Sequence, residues 1–148
     1  MTHMKKNILV VDDSALMRRV MCDIINSDSK FQATDYCRDG LEAYEKLKHT
    51  SYDGVVLDVN MPRMDGLQLL EKLQKEGIRA NVVMVSTLTD SREADVTILA
   101  MERGAIDFVA KPTNIIEAKG EAFKRQLLGV LNAVLATQKA AESVRPAV

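Results

Sequence analysis

No run of apolar residues approaches the roughly 18 that a membrane-spanning helix needs, so membrane insertion is not expected. An excess of one charge is also lacking. The formal net charge is -1, which argues against a nucleic-acid or polyanion binder held by bulk charge. There are only two cysteines, Cys22 and Cys37. They suit a reduced cytoplasmic protein without disulfides or a zinc site, and each is expected to be a buried, inert thiol. There are only two histidines, His3 in an expected tail and His49 at an expected helix end. With no G-x-S-x-G present, serine-hydrolase chemistry is not carried by these residues. No Gly-rich phosphate loop follows the first strand, because Asp12-Asp13-Ser14 stands there instead. The chain leaves no room for an added helix-turn-helix domain. Neither repeats nor low-complexity segments occur. Met1-Thr2-His3-Met4-Lys5-Lys6 carries some positive charge, but Asp12-Asp13 interrupts the apolar stretch behind it, so it is a poor signal peptide.

What is present is ordinary globular composition, 47% apolar and 28% charged over 148 residues, enough for one domain with a substantial core. The organising stretch is Val55-Val56-Leu57-Asp58-Val59-Asn60-Met61-Pro62. An apolar strand delivers a carboxylate to its own end, and proline stops the strand just beyond. Other apolar runs predict strands over 7–11, 31–37, 81–86 and 105–110. Between them lie helical patterns. Ser14 caps a helix to about 27, with Leu16, Val20, Ile24 and Ile25 along its inner side. Leu41, Ala43, Tyr44 and Leu47 mark a second helix, and Leu67, Leu70 and Leu73 a third. A fourth follows the polar stretch 87–91 and runs to 103, and 117–141 can form one long helix despite Gly120 and Gly129. Met17, Met21 and Met101 sit at core-like positions. Five strands alternating with helices imply a parallel α/β sheet covered on both faces. Such sheets bind ligands at the C-terminal edge of their strands.

The polar residues at that edge are Asp12, Asp13, Asp58, Ser86, Thr87 and Lys111. Alone, each has an ordinary explanation: a helix cap, an Asx turn, a solvated lysine, a locally satisfied hydroxyl. Those explanations do not account for all of these types falling at strand C-termini. Carboxylates this close repel, so at least one pKa is expected to rise unless a cation binds. Oxygen ligands with open positions suit Mg2+. A partly neutralised Asp58 can then attack an electrophilic phosphoryl group, with Lys111 and Ser86 receiving the phosphoryl oxygens.

Four segments together resemble the receiver domains of two-component response regulators, over roughly residues 6–139: Val10-Val11-Asp12-Asp13-Ser14, Leu57-Asp58-Val59-Asn60-Met61-Pro62-Arg63-Met64-Asp65-Gly66, Val85-Ser86-Thr87 and Ala110-Lys111-Pro112. The resemblance implies a flavodoxin-like (CheY-like), doubly wound five-stranded parallel sheet of order 2-1-3-4-5. It makes Asp58 the phosphoacceptor. Asp13, Asp58 and the backbone carbonyl of Asn60 would ligate Mg2+ (or Mn2+), with Asp12 on a metal-bound water. Ser86 falls at the switch hydroxyl, Lys111 at the phosphate-binding lysine and Phe108 at the switch aromatic. Asn60 and Leu88 fall where phosphoryl lifetime is tuned. The implied partner is a sensor histidine kinase, with small molecules such as acetyl phosphate as alternative donors.

A narrower similarity, to the regulatory domain of chemotaxis protein-glutamate methylesterases, lies in Ser14-Ala15-Leu16-Met17-Arg18-Arg19, Met84-Val85-Ser86-Thr87-Leu88-Thr89 and 104–112. Thr87 and Asn60 depart from that pattern, where a second serine and an acid are usual. The expected organisation is a tail over 1–5, a receiver over 6–139 and a tail or interdomain linker over 140–148. The expected function is phosphorylation-dependent control of an output domain, with a C-terminal methylesterase domain as a possible partner. The alternatives are a stand-alone regulator acting by docking and, less in keeping with Asn60, an aspartyl-phosphate phosphatase.

Overall fold

The computed structural model describes residues 5–87 and 93–144, with residues 93 and 136–144 described by backbone alone. Strands β1 (Lys6–Val11), β2 (Phe31–Cys37), β3 (Gly54–Leu57), β4 (Val82–Ser86) and β5 (Asp107–Ala110) form one sheet of order β2-β1-β3-β4-β5. Every pairing is parallel, as the expected order requires. The connecting helices are α1 (Ala15–Asn26), α2 (Gly40–His49), α3 (Gly66–Lys75) and α4 (Glu93–Glu102); α5 (Ile115–Ala118) and α6 (Glu121–Val144) follow β5.

The apolar runs are continuous because the inner strands are covered on both faces. On β1, Ile8 and Val10 point to one side and pack with Met21, Ile24 and Ile25 of α1 and Phe123, Leu127 and Leu131 of α6. Leu9 and Val11 point to the other side, against Ala43, Tyr44 and Leu47 of α2 and Leu69, Leu70 and Leu73 of α3. Each wholly buried leucine stabilises the fold by about 1.5–3 kcal/mol. Ser14 caps α1 by accepting from the Met17 N–H, and Asp65 forms a capping box with Gln68 over α3. At the exposed sheet edge, side chains of Asn26 and Asp35 accept the Ala33 and Tyr36 N–H groups of β2, which blunts the edge against pairing.

Four sequence expectations are corrected. The inner stripe of α1 is Val20, Met21, Ile24 and Ile25, whereas Leu16 is exposed, as is Leu41 of α2. Leu16 lies in the first turn, ahead of the buried stripe of α1, and Leu41 lies on the solvent side of α2 although Gly40 and Ala43 in the same turn are buried. Met101 is exposed near the end of α4, where Ala100 faces inward. The long helix expected over 117–141 is broken: α5 ends at Ala118, capped by Lys119, before α6 starts at Glu121. Gly120, a weak helix former, sits at the break, while Gly129 is accommodated inside α6. Cys22 is half-buried rather than buried. Burial nonetheless raises the pKa of its thiol, and pushes that of the Cys37 thiol up to about 12. Among the described residues no helix is long and apolar enough to cross a membrane.

Candidate functional site

The site residues stand at or one step beyond strand ends, held there by ladder bonds that continue past the strands. The Asp12 N–H donates to the Cys37 carbonyl, the Asp58 N–H to Val11, and the Lys111 N–H to Ser86. Three separate segments therefore deliver their side chains to one edge of the sheet. Sheet geometry sets their positions, so they need no flexible loop to converge.

Lys111 Nζ lies 2.8 Å from Asp12 Oδ2 and 2.9 Å from Asp58 Oδ2. Ser86 Oγ donates to the other Asp58 oxygen at 2.8 Å. Both oxygens of Asp58 are thus engaged, and the residue is 3% exposed. Asp12 and Ser86 are equally buried, while Asp13 is exposed. One oxygen from each of Asp12, Asp13 and Asp58 lies within 4.8 Å of the others. Asn60 and Thr87 line the same open cleft of about 400 Å³ with Asp13, Asp58 and Lys111.

Burial, and then the charge of Asp58, push the Asp12 carboxyl above the usual range, against the opposing pull of Lys111. Burial works against the Lys111 ammonium, but Asp58 and Asp12 outweigh it and hold that pKa above its ordinary value. The rise expected of one crowded carboxylate therefore falls on Asp12. Two of the three clustered acids, Asp12 and Asp58, share Lys111. The donor set is all oxygen, converges on a cleft open to water, and carries excess negative charge, which fits a hard divalent cation such as Mg2+.

Phe108 stands apart from this cluster, half-buried against the core on the α2–α3 side of the sheet. Leu88 lies outside the described residues. Lys111 and Ser86, expected on phosphoryl oxygens, have the carboxylate oxygens of Asp58 as partners here. Sequence reasoning missed Arg18, whose guanidinium donates to the Asp12 carbonyl at 2.8 Å. It also missed Arg63, which pairs with buried Asp39 beside the loop after Asp58. The one signal for the latter was Gly66. A Cβ there would stand 2.2 Å from the Asp58 carbonyl oxygen, so this loop packs back on the phosphoacceptor candidate's own backbone.

A model of the response regulator receiver domain matches residues 8–120. The chain is similar to a protein-glutamate methylesterase/protein-glutamine glutaminase of Pyrococcus horikoshii. Identity is 45% over 124 residues, covering 84% of this chain and 33% of that protein. The chain thus spans about a third of the length of the curated relatives it matches. Among solved structures it is similar to the response regulator domain of Thermotoga maritima CheB. The TM-score is 0.75 at 34% identity, covering 97% of this chain and 100% of that one. It also matches a chain of the CheX–CheY–BeF3–Mg2+ complex from Borrelia burgdorferi. That TM-score is 0.72 at 29% identity, over 87% of this chain and 88% of that one.

Proposed function

The chain belongs to the response regulator receiver domain family, and on that premise we propose that it accepts a phosphoryl group on Asp58 and thereby controls a chemotaxis methylesterase output. The observation that carries this reading is the engagement of both Asp58 oxygens, one by Lys111 and one by Ser86, within a cluster of acids. In the transfer, an Asp58 oxygen attacks the phosphorus of a phosphohistidine on a chemotaxis-type sensor kinase. The P–N bond breaks, the imidazole leaves with its proton, and an aspartyl phosphate remains. Lys111 and Ser86 need only small movements to exchange the carboxylate oxygens for phosphoryl oxygens. Asp12, Asp13, Asp58 and the Asn60 carbonyl would hold Mg2+ (or Mn2+), which when bound neutralises phosphoryl charge. The methylesterase assignment is supported by the relatives, which are about three times as long as this chain. We place the protein in the cytoplasm, where its kinase partner and phosphodonors reside.

Incubation with a small phosphodonor and Mg2+ is expected to add one phosphoryl group, mapped to Asp58, and Asp58→Asn should abolish it. Persistent labelling of Asp58→Asn at the same stoichiometry would overturn the assignment. Reading the gene past the Val148 codon tests the output. A frame continuing into a domain with a serine nucleophile supports methylesterase control. A stop codon there leaves a stand-alone regulator that acts by docking.

A further inference from the structure

We propose that the Asp39–Arg63 ion pair is a positioning device for the loop that carries Asn60, and that it sets the affinity of the acid cleft for a divalent cation. The inference rests on the receiver reading above and names residues which that reading leaves without a role.

The loop over 59–65 joins β3 to α3 and is pinned at its ends by close backbone approaches. The Gly66 N–H donates to the Val59 carbonyl at 2.8 Å, and the Gly40 N–H donates to the Met64 carbonyl at 2.9 Å. Any Cβ at Gly40 would stand 2.5 Å from the Met64 oxygen. Between these pins, Arg63 adopts φ 66°, and among the described residues it is the only non-glycine in the left-handed region. A residue with a Cβ resists that conformation unless its surroundings hold it there. The hold is visible. Arg63 Nε and Nη2 both reach Asp39 Oδ2, at 2.8 and 2.7 Å.

This pair is not needed to start either neighbouring helix. Asp39 caps α2 with its other oxygen, which accepts the Glu42 N–H at 2.9 Å. Asp65 and Gln68 cap α3 between themselves. What the Asp39–Arg63 contact fixes is the backbone between them, the segment that leaves Asp58 and contains Asn60. Asp39 is 4% exposed, so its charge stays buried beside the loop and keeps the guanidinium in one place. Groups hydrogen-bonded directly to metal ligands commonly change metal affinity by roughly 10–100-fold when lost; this pair acts through the backbone between Arg63 and Asn60, so its effect is expected at the lower end.

Two variants of the whole chain separate loop positioning from general stability. Arg63→Gly keeps the left-handed backbone and removes the guanidinium. Asp39→Asn keeps the cap oxygen and the side-chain volume and removes the charge. Mg2+ affinity is measured by calorimetric titration, and the melting temperature is recorded for each. Both variants are expected to bind Mg2+ roughly tenfold more weakly. Arg63→Lys should recover part of the loss, and the double variant should be no weaker than the worse single one. Parental Mg2+ affinity in both single variants, with or without a lower melting temperature, would overturn the proposal and leave the phosphoacceptor reading intact. A parent chain that binds no Mg2+ would overturn both.

Discussion

Lys111 and Asp12 are 99 positions apart in sequence and meet in an ion pair of 2.8 Å in which Asp12 has no solvent exposure. The same ammonium also serves Asp58. Removing it would leave two buried carboxylates facing each other with no cation. Lys111→Met is therefore expected to cost about 3 kcal/mol at neutral pH, as for a buried pair that loses one partner. Mg2+ bound by the folded state alone should recover much of that loss. Urea denaturation of both proteins, with and without Mg2+, measures this. A variant as stable as the parent in Mg2+-free buffer would contradict it.

The same pair has an alkaline signature. Despite its burial, Asp58 and Asp12 hold the Lys111 pKa above its ordinary 10.5 in the folded state. A raised folded pKa contributes stability that is fully present below the unfolded value. It is lost as pH rises through the folded value. The stability gap between parent and Lys111→Met should therefore stay flat up to about pH 10.5 and narrow above it. Asp12, raised chiefly by burial, acts in the same sense but in a separate window, near the usual carboxylate range. There the folded state takes up its proton first, so this group favours folding as pH falls toward 3.8. Denaturation series across both windows, on parent, Lys111→Met and Asp12→Asn, separate the two groups.

Gly66 offers a steric test of the loop. A Cβ there would stand 2.2 Å from the carbonyl oxygen of Asp58 and 3.1 Å from the Cα of Val59. Those are backbone atoms just past β3, next to the Asp58 N–H that bonds the Val11 carbonyl, so they cannot step aside as a side-chain tip would. Gly66→Ala is expected to destabilise the protein by about 2–3 kcal/mol. Because the shift falls on Asp58 itself, phosphoryl uptake should drop further than the stability loss explains. Melting temperature and labelling rate, read on the same samples below the melting transition, test both parts.

How much of this was legible in the sequence depended on which dimension the residues encode. Strand order and site edge were legible because strands covered on two faces read as unbroken apolar runs, and polar residues then stand out at their ends. The positions of Asp12, Asp58, Ser86 and Lys111 follow from that alone. Helical spacing gives an angle around the axis but not where along it the sheet stops. Leu16 was therefore placed on the inner side of α1 although it stands exposed in the first turn. Gly120 and Gly129 have the same intrinsic helix preference. Only the tertiary packing makes the first a break and the second an interior residue. The Asp39–Arg63 pair crosses 24 positions between two loops, and no local pattern announces a contact of that kind.

Ser86 points to where a phosphoryl signal would travel. Its hydroxyl is committed to Asp58, and its carbonyl accepts the Lys111 N–H at the end of β5. Moving the hydroxyl toward an added phosphoryl group pulls on the β4–β5 junction, where Met84 pairs with Phe108 and Ser86 with Ala110. Of the elements beyond, α4 exposes Ile98 and Met101, apolar side chains that a partner on that helix would cover. A phosphoryl mimic such as beryllofluoride with Mg2+ is therefore expected to change amide exchange in α4, β5 and the start of α6. The far edge, β2 and α2, should change little. Ser86→Ala should bind the mimic yet lose the remote change, because the group that moves is gone. Identical exchange with and without the mimic would rule out a switch on this face. A uniform slowing over the whole chain would mean that the ligand stabilises the fold without redirecting it.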